Sequence, residues 1–173
     1  MSTNDRAEGR VCIDCDTMLA MDDWHDREDC IAALRAEGVT LPISIDTRKA
    51  EVARAAARAG AKIFNDVSAL THDPASLAAA ADTGLSVILM HAKGEPKTMQ
   101  DDPRYDDVVL DVYDYLAERI AACEAAGIPR DRIAADPGIG FGKTLAHNLA
   151  LLNATARIRD EVGRPVMIGA SRK

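Results

Sequence analysis

Asp136-Pro137-Gly138-Ile139-Gly140-Phe141-Gly142-Lys143-Thr144 decides how the rest of the chain is read. It follows Arg132-Ile133-Ala134-Ala135, a short apolar run that reads as a buried strand. It precedes residues 146–160, where apolar side chains recur at helical spacing. Three glycines in five residues allow the backbone to bend sharply and to lie close against a flat or phosphorylated ligand. Asp136 stands where the strand ends, the position at which α/β folds carry their chemistry. The bland reading of the same stretch is a βα turn whose glycines serve geometry alone.

Working outward, the pattern is regular from Leu41 onward. Residues 42–46 read as a strand, 48–59 as an alanine-rich helix stopped by Gly60, and 61–65 as the next strand. Residues 74–82 form a short helix ending at Gly84, and 85–90 a strand. The loop 91–103 is longer than a usual βα connection. A long helix over 105–126 closes at Gly127, and 132–135 and 165–168 are the last two strands. Upstream, residues 10–14 are a candidate strand. Asp26 or Asp29 is a candidate cap for a helix running through Arg35 and stopping at Gly38.

Strands alternating with helices imply parallel βαβ units. No short glycine-rich dinucleotide signature follows the first strand, which disfavours a nucleotide-binding doubly wound sheet. The expected fold is α/β, an incomplete (β/α)8 TIM-type barrel of about five to six parallel βα units. A complete barrel takes roughly 200–250 residues, more than the 173 present. Residues 1–30 read as a divergent N-terminal segment and 31–173 as the barrel portion.

Asp46, Asn65, Met90 with His91, Asp136, and Ser171-Arg172-Lys173 each stand at the C-terminal end of a successive strand. In a parallel barrel these ends converge on one mouth. Two carboxylates, an amide and a lysine there suit a flat heterocycle: a carboxylate accepts paired N–H bonds from an aminopyrimidine-type edge. Met90 is suited to pad a ring face. Taken singly, Asp46 or Asn65 is equally explained by a bond to loop backbone, and Lys173 by solvation. Five coincidences at one mouth favour the site.

Composition narrows the function classes. Hydrophobic residues make up 47% of the chain, enough for a packed core. A net charge of −7 without a dense basic face argues against nucleic-acid or acidic-membrane partners. No apolar run reaches transmembrane length, and residues 1–10 are polar and mixed in charge, unlike a signal peptide. The expected location is cytoplasmic. Cys12 and Cys15 form a C-x-x-C pair with His25 and Cys30 downstream, but the pair falls on an apparent strand flanked by Asp14 and Asp16. Reduced cytosolic cysteines are preferred to a zinc or redox site, and Cys123 is read as packing.

Ile43-Ser44-Ile45-Asp46-Thr47, Ile63-Phe64-Asn65-Asp66, Leu89-Met90-His91, the Asp136–Lys143 stretch and Gly169-Ala170-Ser171-Arg172-Lys173 together resemble the dihydropteroate synthase family in order and spacing. The resemblance covers about residues 31–173. The Asp-Pro-Gly-Ile-Gly-Phe-Gly-Lys stretch with a following Ser-Arg-Lys is its most specific part. It implies a (β/α)8 barrel that condenses 7,8-dihydropterin-CH2-pyrophosphate with p-aminobenzoate, releasing pyrophosphate, with magnesium as cofactor. On this resemblance Asp46, Asn65, Met90, Asp136 and Lys173 hold the pterin, and Asp46, Asp136 and Lys173 are the catalytic set. Gly140 and Phe141 border the p-aminobenzoate and sulfonamide side, and a homodimer is expected.

The departures are equally plain. The family's Asn-Val-Thr-Pro-Asp-Ser-Phe strand, whose Asn binds magnesium, has no counterpart, so no metal ligand is assigned. Nor does its Gly-Gly-Glu-Ser-Thr-Arg-Pro-Gly segment, and the Arg and His expected beyond Lys173 are not in the sequence. The alternatives are a methyltetrahydrofolate-type pterin-barrel methyltransferase, disfavoured by the Phe141-Gly142-Lys143 and Ser171-Arg172-Lys173 pairing, and a pterin-binding remnant without turnover.

Overall fold

The computed structural model describes residues 11–14, 25–95 and 97–170, with side chains from Cys30 onward. Cys15, Asp16, Ser171, Arg172 and Lys173 lie outside the described residues, and Cys12, Asp14 and His25 are described by backbone alone.

Five parallel strands follow one another in chain order: β1 (Val11–Asp14), β2 (Ile43–Asp46), β3 (Ile63–Asp66), β4 (Ser86–Met90) and β5 (Ile133–Asp136). Helices alternate with them: α1 (His25–Ala36), α2 (Ala50–Ala59), α3 (Ser76–Thr83), α4 (Val108–Ala125) and α5 (Leu145–Val162). This is the βα succession of a (β/α)8-type barrel.

Two elements differ from the sequence expectation. α1 begins at His25, so Asp26 and Asp29 lie within the helix rather than at its cap. Residues 165–168 form a single parallel bridge, Val166 to Ala135, instead of a full strand.

Local chemistry explains where elements stop. Gly60 ends α2 in the left-handed region at φ 108, and the Ala61 N–H reaches back 2.9 Å to the Ala56 carbonyl. Asp107 starts α4 by accepting from the Val109 and Leu110 N–H groups. Thr144 and His147 form a reciprocal capping box on α5. Asp73 joins two helices: Oδ2 accepts the Ala50 N–H of α2 at 2.8 Å and Oδ1 the Ala75 N–H before α3 at 2.9 Å.

Strand alternation sorts the side chains into two faces. Phe64, Val87, Leu89, Ile133 and Ala135 pack with Val112, Leu116 and Ile120 of α4 and Leu151, Ile158 and Val162 of α5. Ile43 and Ile45 pack with Ile31, Val52 and Ala56 in a second cluster. The alternate residues, Ser44 and Asp46, Ile63 and Asn65, Ile88 and Met90, Ala134 and Asp136, therefore share the opposite face.

The register places these in two levels. Asp46 pairs with Asn65, Asn65 with Ile88, and Ile88 with Ala134, forming one row. Met90 pairs with Asp136 two residues further along, about 6.6 Å higher at the usual strand rise. A cavity of about 540 Å³ opens on the same face toward the strand beginnings, lined by Pro42, Lys62, Ile63, Ile88, Ala134 and Met167. It contains none of the strand-end polar residues.

Candidate functional site

Asp46, Met90 and Asp136 end β2, β4 and β5, and Asn65 stands one residue before the end of β3. Asn65 Nδ2 donates to Asp46 Oδ2 at 2.9 Å, which commits one amide N–H and orients both side chains. Asn65 is not the last residue of β3. That place belongs to Asp66, whose side chain points to the helix side and is fully buried.

Asp66 organises the loop that follows. Its Oδ1 accepts from the Ser68 N–H at 2.7 Å and the Ser68 hydroxyl at 2.6 Å, and its Oδ2 accepts from the Leu70 N–H at 3.2 Å. Burial pushes the Asp66 carboxyl up, against the lowering effect of these bonds. Ala69 and Leu70 hold positive φ values of 51 and 63, strained for residues with side chains. α4 secures them from outside: Arg119 Nε donates to the Ala69 carbonyl at 3.0 Å, and the Tyr115 hydroxyl donates to the Ser68 carbonyl at 3.3 Å.

Asp136 is 4% exposed, and its Oδ1 accepts the Gly138 N–H at 2.7 Å. Removal from water raises its pKa to about 6, moderated by the Gly138 bond and by the positive charge of Lys143. A carboxylate is thus kept in a low-dielectric place where interactions with a ligand are little screened. Gly169 passes beside it: a Cβ there would stand 3.9 Å from Asp136 Oδ2. Met90 is buried at the same level on β4.

The glycines after Asp136 admit the β4–α4 loop. A Cβ on Gly138 would come within 1.9 Å of the His91 carbonyl oxygen, and one on Gly142 within 2.2 Å of the Lys93 carbonyl oxygen. Both glycines have positive φ, 66 and 62. Between them, Gly140 N–H donates to Asn148 Oδ1 at 2.8 Å, and Phe141 N–H to the Gly138 carbonyl at 3.1 Å. Phe141 is half-buried.

Lys143, Gln100 and Tyr105 are the residues of this site that sequence reasoning missed. Lys143 is 4% exposed, and burial lowers its pKa to about 7. Its ammonium lies 3.0 Å from His91 Nδ1, 3.0 Å from the Phe141 carbonyl oxygen and 3.3 Å from the His91 carbonyl oxygen. His91 is itself buried and depressed to about 3, chiefly by burial and then by Lys143. The one available signal was position: Lys143 closes the glycine run in the deciding stretch.

Among the described residues, no three His, Cys, Asp or Glu side chains converge as a metal-binding group. No described helix is long and apolar enough to cross a membrane.

A family model for "Pterin binding enzyme" matches residues 16–173. The chain is 50% identical over 131 residues to dihydropteroate synthase of Escherichia coli (strain K12), covering 76% of this chain and 46% of that protein. Among solved structures, dihydropteroate synthase from Xanthomonas albilineans in complex with 7,8-dihydropteroate aligns with a TM-score of 0.84 at 41% identity. That match covers 96% of this chain and 60% of the other. The Yersinia pestis dihydropteroate synthase with a sulfonamide drug complex aligns with a TM-score of 0.81 at 41% identity, over 87% of this chain and 54% of the other. The chain spans about half the length of the curated relatives it matches.

Proposed function

Because the chain belongs to the pterin-binding enzyme family, we propose that its mouth serves the dihydropteroate synthase reaction. In that reaction the amine nitrogen of p-aminobenzoate bonds to the methylene of 7,8-dihydropterin-CH2-pyrophosphate. The carbon–oxygen bond to pyrophosphate breaks, and the amine gives up a proton.

Asp136 carries the reading. It is a strand-end carboxylate almost withdrawn from water, on the same sheet face as Asp46 and Asn65. Ionised above pH 6, it accepts paired N–H bonds from the aminopyrimidine edge, with Asp46 and Asn65 serving the remaining ring atoms. In this reading Met90 lines the ring pocket, Gly140 and Phe141 border the p-aminobenzoate side, and Lys173, which lies outside the described residues, is assigned to the junction between them. As pyrophosphate leaves, positive charge spreads from the methylene into the ring, where two fixed carboxylates stabilise it. The neutral aromatic amine needs no strong base.

Magnesium belongs to this reading as a companion of the pyrophosphate. Among the described residues, no three His, Cys, Asp or Glu side chains converge to build a site for it. A cytoplasmic location belongs to it too, in keeping with Cys30 and Cys123 as free thiols.

Calorimetric titration of 7,8-dihydropterin-CH2-pyrophosphate into wild type and Asp136→Ala tests the reading. The substitution is expected to cost about 2–4 kcal/mol, as when a charged hydrogen-bond partner is lost from a buried site. Equal affinities would remove Asp136 from the pocket. Pyrophosphate release in the presence of p-aminobenzoate and magnesium tests turnover itself.

A further inference from the structure

Three successive carbonyl groups of the glycine turn are each held by a side chain. Gln100 Nε2 donates to the Gly140 carbonyl, Lys143 Nζ to that of Phe141 at 3.0 Å, and the Tyr105 hydroxyl to that of Gly142 at 2.8 Å. Gln100 also accepts the Lys143 N–H through Oε1 at 3.1 Å. Gln100 and Tyr105 come from the long β4–α4 loop, about forty residues away in sequence. Lys143 completes the connection by reaching back to the His91 carbonyl and ring at the end of β4.

We propose that Lys143 is a positioning residue: its buried side chain, with His91 as acceptor, locks the 140–142 turn and thereby fixes the Phe141 wall of the p-aminobenzoate side. The proposal rests on the function given above for its ligand, but its geometry is independent of it. A lysine is a poor choice for stability alone, because burying an ammonium carries a desolvation penalty that an apolar side chain of similar volume avoids. What the ammonium supplies is direction. It reaches three acceptors on two different strand-end segments, and a methionine would reach none.

His91 is arranged for the same purpose. Its ring packs edge-on to Tyr115 at 5.1 Å and tilted to Tyr105 at 6.1 Å, so its plane is set by neighbours on both sides. Below about pH 7, where Lys143 is charged, the ammonium faces Nδ1 and the neutral ring keeps its proton on Nε2. The Lys143–His91 contact therefore fixes a tautomer as well as a distance.

The test uses the chain labelled with nitrogen-15, as wild type, Lys143→Met, Lys143→Arg and Gln100→Ala. Two-bond proton–nitrogen spectra at pH 5.5, where Lys143 is charged and His91 neutral, are expected to show the Nε2–H tautomer of His91 in wild type and a displaced Nδ1 resonance in Lys143→Met. An Nδ1–H tautomer in wild type overturns the proposal. Affinity for 7,8-dihydropterin, and for p-aminobenzoate on the chain saturated with it, are then measured separately. Lys143→Met and Gln100→Ala are each expected to weaken p-aminobenzoate about tenfold, the size of one lost hydrogen bond to the turn. Pterin affinity changes less than about twofold, a difference within ordinary scatter for a site not directly touched.

Equal weakening of both ligands would mean a merely structural role and overturns the proposal. Lys143→Arg, which keeps the charge, is expected to recover part of the p-aminobenzoate affinity. Gln100 lies on the surface, so its variant remains informative if Lys143→Met fails to fold. If wild type binds neither ligand, the proposed function falls. The clamp is then judged by the His91 tautomer and by amide exchange at 140–143: unchanged exchange in Gln100→Ala overturns it, and faster exchange supports it.

Discussion

Asn65 Nδ2 donates a 2.9 Å hydrogen bond to Asp46 Oδ2, its register partner on the neighbouring strand. The two side chains stand on the face turned away from the helices, so the bond shapes the mouth rather than the core. It holds an acceptor and an amide at a fixed separation before any ligand arrives, and preorganisation of this kind is where binding energy is conserved.

A double-mutant cycle of Asp46→Ala and Asn65→Ala, read by pterin titration, is expected to show coupling of about 0.5–1.5 kcal/mol. Additive losses would mean that the two residues meet the ligand independently, if at all.

Gly138→Ala should be among the most damaging small substitutions in the chain. The added methyl would stand 1.9 Å from the His91 carbonyl oxygen, a backbone atom that cannot swing aside, at a φ of +66. A loss of about 2–4 kcal/mol in urea unfolding is expected. Gly127→Ala is the control. It also has positive φ, but nothing lies within 4 Å, so only the conformational cost of about 1 kcal/mol remains. Equal losses at the two positions would contradict the close approach of the loops.

The buried carboxyl of Asp136 makes a pH-dependent prediction. Its folded pKa, about 6, is above the ordinary 3.8. The protonated form is therefore favoured by folding: this contribution is full below pH 3.8 and is lost as pH rises through about 6. Asp136→Asn should accordingly raise the urea midpoint at pH 8 and give no such gain at pH 4. Pterin affinity should move the other way in wild type, falling as pH drops below 6 and the carboxylate is neutralised.

Asp73 gives the opposite sign. The Ala50 N–H, then the Ala75 N–H, hold its pKa below 3.8. Its stabilising effect is present above that value and disappears as acid protonates it at its lower folded pKa. Asp73→Ala is expected to lower the melting temperature at pH 7, with the gap to wild type narrowing below pH 3.8. A gap independent of pH would mean that the double cap contributes nothing.

The alternation of strands and helices was legible because buried parallel strands and capped helices leave short-range patterns. The rule that a parallel barrel carries its chemistry at the C-terminal strand ends picked out Asp46, Asn65, Met90 and Asp136, each within one residue of a strand end. Lys143 was not legible. Lysine in a glycine-rich turn reads as solvated, and its burial comes from Gln100 and Tyr105 crossing over from a loop with no local signature of that contact. Asp66 was overshadowed by Asn65, since one residue of register decides which faces the mouth. The strand expected over 165–168 is a single bridge, because an apolar run specifies burial more strongly than the length of its pairing.

The two levels of the strand ends give the mouth a stepped floor. Asp46 and Asn65 stand on the lower tread, and Met90 and Asp136 on the upper, with a riser of about 6.6 Å. A ligand that meets Asp136 as well as Asp46 and Asn65, as proposed above, reaches across β2, β3 and β5, so a slip in strand pairing would part its contacts even with every side chain intact.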